Sequence, residues 1–172
     1  MTAVQLPSPR PSFADINTDL AAAWCHTPWA ATDLSFDGEA YHGIYDVDLA
    51  ADVSDRAPYR PVLHGSVLAQ IVSYHTLASM LCAYTNGDPV FAAFPKVGPA
   101  EVRRRILVTS LQLSLHRQVS ESRVPLRLAV DRYTDKWESH RMMFAAVSVD
   151  IAGGKHTAKL EGCFNFRDGI EM

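Results

Sequence analysis

Residues 60–87 decide the fold of this chain, and they read RPVLHGSVLAQIVSYHTLASMLCAYTNG. Apolar side chains recur in this stretch at spacings of three and four residues, which is the period of an α-helix. The pattern predicts a helix of about twenty residues from Gly65 to Tyr84, and Asn86-Gly87 is a normal C-terminal stop. Few polar groups lie on this helix, so we expect other elements to cover most of its sides.

Extended segments flank the helix on both sides. Upstream, residues 31–49 look extended and are interrupted at Asp37-Gly38, a hairpin signal. Downstream, apolar and polar residues alternate in three stretches, and a fourth returns after Gly153-Gly154; the stretches are residues 110–116, 126–131, 143–151 and 155–166. Period-two strands with short connections imply an antiparallel sheet, and the whole order predicts an α+β fold.

The N-terminal region is divided by its prolines. Residues 1–12 contain Pro7, Pro9 and Pro11, so we expect a flexible lead-in. Residues 13–24 have helical character, and Pro28 then stops the helix. A length of 172 residues fits one domain, which we place at residues 13–168.

Composition excludes several classes of function. A net charge of −3 gives no basic field for nucleic acid or an anionic membrane. The apolar stretches look shorter than the roughly 18 residues of a membrane span, so no membrane partner is expected. Three unclustered cysteines argue against a disulfide framework and for the cytoplasm. We expect no metal and no other cofactor, since the chain has no Cys-x-x-Cys or His-x-x-x-His pair.

The start of the helix carries the chemical argument. His64, Gly65 and Ser66 stand where backbone N–H groups and the positive end of the helix dipole point outward. Such a place stabilises an oxyanion or a polarised carbonyl. Gly65 allows close approach of a substrate, and Ser66 can cap the helix or bond to the carbonyl.

This stretch resembles the helix start of the hot-dog-fold thioesterase/dehydratase superfamily, in which a long central helix is wrapped by an antiparallel sheet. Thioesterases of that superfamily often have His-Gly-Gly here, and its dehydratases have Arg-Pro-Val-Met-Pro-Gly-Val-Leu followed by an acid. The resemblance covers about residues 30–168 and implies a substrate held as a thioester on coenzyme A or an acyl carrier protein. It also implies a homodimer at least, because hot-dog domains pair.

The sequence differs from the family pattern at positions where related enzymes carry a catalytic acid, and this limits the reactions to be expected. Gln70 stands at the position of the dehydratase carboxylate and is a candidate substrate-binding residue with Gly65 and Ser66. Ser73 stands where some thioesterases carry an acid. No Asp or Glu occurs between His64 and Gly87, so a helix-borne carboxylate is absent.

Other residues must therefore handle protons and charge. His64 is the candidate proton carrier because its ordinary pKa lies near neutrality, the alternative being a helix cap. His75 lies about 16 Å further along the helix and is expected to be an interior residue. Asp33 is the preferred carboxylate partner of His64, with Glu39 as the alternative, and Arg132 is a candidate fork for a carboxylate or phosphate.

A looser resemblance connects the chain to the actinobacterial long-chain fatty-acyl thioesterase-like group. Some members add the amine of glycine to an α,β-unsaturated acyl thioester (aza-Michael addition) in secondary metabolism. That implies conjugate addition as the leading hypothesis, because it needs no helix carboxylate. Hydrolysis of a fatty-acyl or polyketide thioester is the alternative. An acyl transfer to a small alcohol and a non-catalytic acyl-binding module are the further alternatives.

Overall fold

The computed structural model describes Ser12, Ile16, Leu20 and residues 27–49 and 63–167. Ile16 and Leu20 are helical and lie in the hydrophobic core, in the segment predicted to form a short helix. The other residues of that helix, and the predicted lead-in apart from Ser12, lie outside the described residues.

Within the part of the chain that the structure describes, six antiparallel strands form one sheet. Their bounds are β1 Trp29–Phe36, β2 Ala40–Val47, β3 Ile106–Leu115, β4 Arg123–Lys136, β5 Met142–Ile151 and β6 His156–Asn165. Within the sheet they follow the order β1-β2-β4-β5-β6-β3, so β1 and β3 form its edges. The predicted antiparallel sheet and its alternating burial are confirmed: every second residue of β5, from Met143 to Ile151, is buried.

The long helix α1, Gly65–Thr85, packs on the inner face of this sheet. By length and composition α1 is apolar enough to cross a membrane, which corrects the expectation that the apolar stretches are too short. However, 72% of its most apolar window is buried inside the protein, as expected for a core helix. Its buried hydroxyls bond to its own backbone: Thr76 donates to the Val72 carbonyl and Ser79 to the His75 carbonyl.

The β1–β2 hairpin turns where the sequence predicts it. Gly38 has a φ of +101°, a conformation that favours glycine. One carboxylate oxygen of Asp37 accepts hydrogen bonds from the amides of Ala40 and Glu39, at 2.8 Å and 2.9 Å. These bonds, with a further one from His42, hold the pKa of Asp37 well below its usual range.

Two short helices and an aromatic cluster close the far end of α1. A 3₁₀ turn spans Pro89–Phe91, α2 spans Pro99–Arg103 and α3 spans Trp137–His140. Phe94 packs against both Trp137 and Phe166, with ring centroids 4.4 Å and 5.4 Å away. α2 ends at Arg103, and β3 begins three residues later.

Candidate functional site

Among the residues that the structure describes, the first three backbone amides of α1 have no hydrogen-bond partner. The amide of Leu68 is the first to join the helical ladder, donating to the His64 carbonyl at 3.0 Å. The preceding amides belong to Gly65, Ser66 and Val67. None of them donates a hydrogen bond to any of the described residues. His64 occupies the N-cap position, its imidazole is exposed, and it does not cap the helix.

A neighbouring strand end covers this helix start closely. The amide of Leu63 donates to the Val119 carbonyl at 2.9 Å, which fixes the chain just before α1 against the segment after β3. A β-carbon on Gly65 would lie 3.3 Å from Cδ1 of Leu115, the last residue of β3. Glycine therefore allows the Leu115 side chain to approach the helix start, and the close approach of a substrate there stays a prediction.

One stripe of α1 is not fully covered by the sheet. Ser66 and Gln70 are exposed on it, and Ser73 and Leu77 are half-buried. Spacings of four, three and four residues place these side chains on one face of the helix. The stripe carries polar groups from the helix start onward, next to the three unpartnered amides.

Aromatic residues flank the stripe on the side of β1. The indole Nε1–H of Trp29 points to Oε1 of Gln70 at 3.4 Å. The Trp29 ring also meets Tyr74 and Tyr45 edge to face, with centroid distances of 4.9 Å and 5.7 Å. Trp29 thus holds the Gln70 side chain next to a cluster of aromatic rings.

His75 is an interior residue, as predicted. Its Nε2–H donates to the Tyr41 carbonyl at 3.1 Å, so its Nδ1 accepts the Tyr45 hydroxyl at 2.8 Å. Burial lowers the pKa of His75 to about 4, which keeps the ring neutral at physiological pH.

The structure brings four of the predicted site residues together: His64, Gly65, Ser66 and Gln70 all lie in the first two turns of α1 or directly before it. Asp33 does not join them. The register of β1 shifts between Ala31 and Asp33, and the buried residue of the next pair is Leu34, so Asp33 faces the outer side of the sheet. Glu39 is exposed in the hairpin turn.

Arg132 also lies away from α1. The register of β4 shifts between Val130 and Arg132, which turns Arg132 to the outer face. There its guanidinium lies 3.4 Å from Glu161, in an exposed ion pair across β5. A role for Arg132 at the helix start would require the opposite face of the sheet.

His156 is a buried imidazole outside the predicted site residues. It begins β6 on the inner face, is 2% exposed, and pairs across strands with Leu115. Its position could have been found from alternation, because Ala158, Leu160 and Phe164 of the same strand face the core. Burial, with the nearby charges of His116 and Lys155, lowers its pKa.

A separate cavity of about 550 Å³ lies at the other end of α1. Its walls include Tyr84, Phe91, Phe94 and Lys96. α1 is about 30 Å long, so this cavity is far from His64. Within residues 27–49 and 63–167, no three His, Cys, Asp or Glu side chains come close enough to hold a metal ion.

No protein-family model matches the sequence, and no curated protein is significantly similar to it. The structure, however, is similar to several solved ones. A proposed thioesterase from Syntrophus aciditrophicus gives a TM-score of 0.57 at 11% identity, covering 80% of this chain and 84% of that one. A mutant thioesterase from Pseudomonas aeruginosa gives 0.53 at 14% identity, covering 89% and 93% of the two chains.

A thioesterase-family protein from Silicibacter pomeroyi gives a TM-score of 0.52 at 9% identity, covering 88% of this chain and 96% of that one. Identities this low describe the fold alone. The predicted fold is confirmed: the chain is a single α+β domain whose long central helix and antiparallel sheet form the hot-dog fold of these thioesterases.

Proposed function

We propose that this protein hydrolyses an acyl thioester of coenzyme A or of an acyl carrier protein at the start of α1. The observation that carries the proposal is the set of unpartnered amides at Gly65, Ser66 and Val67, next to an exposed imidazole. The thioesterases that share the fold favour hydrolysis over the other reactions considered.

The chemistry follows from the positions of these groups. The thioester carbonyl oxygen accepts hydrogen bonds from the first-turn amides, where the helix dipole favours negative charge. His64 takes a proton from a water molecule whose oxygen attacks the carbonyl carbon. The C–S bond then breaks, and the thiolate leaves with the proton held by His64.

Conjugate addition of an amine such as glycine to an enoyl thioester remains a second candidate. The specific observation in its favour is that the described residues place no carboxylate on α1, and that Asp33 faces away from it. Addition needs a polarised carbonyl and one proton carrier, and it needs no acid to activate water.

One experiment separates these functions. The purified protein is mixed with saturated and α,β-unsaturated acyl-CoAs of increasing length, with and without glycine, and with the same acyl groups on a carrier protein. Release of free thiol with the free acid supports hydrolysis, and a mass increase equal to glycine on an intact thioester supports addition. Binding of acyl-CoA without either product would support an acyl-binding module and contradict both reactions.

We further propose that a second copy of the chain pairs along β3. This edge strand contains no charged residue, and its exposed apolar residues Val108 and Leu115 face the side of α1. Long uncharged edges are usually covered in native proteins. Since Leu115 also lies against Gly65, such a homodimer would place its contact beside the proposed site. Buried thiols at Cys82 and Cys163 suit a reducing compartment such as the cytoplasm.

A further inference from the structure

His156 holds a buried ring nitrogen that has no hydrogen-bond partner. Its Nδ1 accepts the backbone N–H of His116 at 3.3 Å. Its Nε2 is buried, and none of the residues that the structure describes bonds to it. Because Nδ1 accepts, the neutral ring carries its proton on Nε2. A buried donor left unpaired costs free energy, so its retention calls for an explanation.

The position of the Nε2–H donor suggests why it is left unpaired. His156 faces the inner side of the sheet, and its cross-strand partner on β3 is Leu115. Leu115 in turn lies against Gly65, the first residue of α1. His156 and Gly65, the first residue of α1, are therefore both neighbours of Leu115.

The charge state of the ring suits a donor and not a base. The ionisable groups around it are His116 and the Lys155–Glu121 ion pair. Burial, with His116 and Lys155 nearby, lowers the pKa of His156, so the ring stays neutral while keeping its Nε2–H. A neutral donor in a closed site can polarise a carbonyl without transferring its own proton.

We propose that His156 is a catalytic residue that donates its Nε2–H to the thioester carbonyl oxygen, opposite the amides of α1. This rests on the proposed function of the helix start. The side chain of Leu115, the last residue of β3, turns aside when the acyl group binds. The His156 donor then stabilises the negative charge that develops on oxygen during attack, and His64 alone moves protons.

Two near-isosteric variants test this assignment. In His156→Asn the side-chain oxygen takes the place of Nδ1 and accepts the His116 amide, but no donor remains at Nε2. In His156→Gln the amide nitrogen lies near the former Nε2, and the acceptor at Nδ1 is lost. The proposal predicts that His156→Asn lowers kcat by about 100-fold with little change in KM, and that His156→Gln retains most of kcat. Equal losses in the two variants, or a greater loss in His156→Gln, would show a structural role and overturn the proposal.

A binding measurement on the unmodified protein covers the case in which a variant does not fold. The protein is labelled with ¹⁵N-histidine and titrated with a ketone analogue of acyl-CoA, in which a methylene group replaces the sulfur. The His156 Nε2–H resonance should shift on saturation, whereas an unchanged resonance with the analogue bound would overturn the proposal. Because the analogue is never hydrolysed, a shift in a protein that cleaves no thioester would reject the hydrolase function and leave the His156 contact standing.

Discussion

The Tyr45 hydroxyl lies 2.8 Å from Nδ1 of His75, and this buried bond helps to hold the imidazole of α1 inside the core. The other ring nitrogen of His75 bonds to the Tyr41 carbonyl, so both of its nitrogens are occupied inside the core. His64, about 16 Å away along the helix axis, is exposed at the helix start. The two imidazoles therefore differ in exposure: His75 is enclosed in the core, and His64 lies at the surface.

The buried state of His75 predicts a pH dependence of stability. Its pKa is lowered from 6.5 to about 4 in the folded protein, so the unfolded chain binds more protons between these two values. The contribution is fully present above pH 6.5 and is lost as the pH falls toward 4, by an amount on the order of 3 kcal/mol. Urea unfolding at pH 7 and pH 4.5 measures it. The His75→Phe variant should lose less stability over this interval, and an equal loss would contradict the assignment.

Two glycines of the sheet should respond differently to alanine. A β-carbon on Gly43 would lie 2.8 Å from the His75 ring, which two hydrogen bonds hold in place. A β-carbon on Gly162 would lie 2.6 Å from the Met80 sulfur, at the flexible end of a side chain. We expect Gly43→Ala to lower the free energy of unfolding by about 3 kcal/mol or more, and Gly162→Ala to lower it by less. Thermal or urea unfolding that ranks the two variants in the opposite order would refute this packing argument.

Pairing along β3 predicts that a charge on this edge disrupts association. Val108→Lys places a cation on the exposed apolar side of β3, where a second copy would bury it. Phe36→Lys is the matched control, because Phe36 is 49% exposed on β1, the opposite edge. Size exclusion with light scattering should give a dimer for the unmodified protein and for Phe36→Lys, and a monomer for Val108→Lys. A monomeric unmodified protein would remove the basis of this prediction.

Removal of the exposed imidazole should abolish most of the turnover. His64→Ala should lower kcat for the best acyl-CoA substrate by about 100-fold or more, since positioned acid–base groups contribute 10²–10⁴-fold. His140→Ala is the control, because His140 is an exposed histidine of α3 that bonds only to its neighbour Ser139 within the described chain. Thiol release measured by absorbance compares the variants, and equal rates for His64→Ala and the unmodified protein would eliminate His64 as the base.

The spacing of apolar residues predicts much of this fold, because it indicates which side chains are buried. The helix predicted from Gly65 to Tyr84 extends only one residue further, to Thr85. Its apolar residues recur all round the axis, and only a helix covered on most sides can keep them from water. The hairpin at Asp37-Gly38 was equally visible, since the glycine supplies a backbone conformation that other residues rarely adopt.

One shared feature turns two candidate site residues, Asp33 and Arg132, away from α1. Simple alternation from Trp29 would carry Asp33 to the inner face, and alternation from Val124 would carry Arg132 there. A register shift precedes each of these residues, and one extra residue turns every later side chain of a strand to the opposite face. Such shifts depend on pairing with a neighbouring strand, which a pattern within one strand does not reveal.

The order of the strands in the sheet could not be predicted from local sequence patterns either. β3 follows α1 in sequence but pairs only with β6, and this long-range pairing sets Leu115 beside both His156 and Gly65. The sequence separates His156 and Gly65 by 91 positions, so alternation alone could assign His156 to the inner face but could not bring it to the helix start.

If the first amides of α1 hold an acyl carbonyl, the carbonyl stretch of a bound ligand should report their hydrogen bonds. Isotope-edited infrared spectra are recorded for the ketone analogue of acyl-CoA with ¹³C at the carbonyl, free in water and bound to the protein. Hydrogen bonds from preorganised amides should move the stretch to lower wavenumber than in water. A stretch at higher wavenumber than in water, with the analogue fully bound, would mean that the carbonyl lies in an apolar part of the protein and would contradict the account.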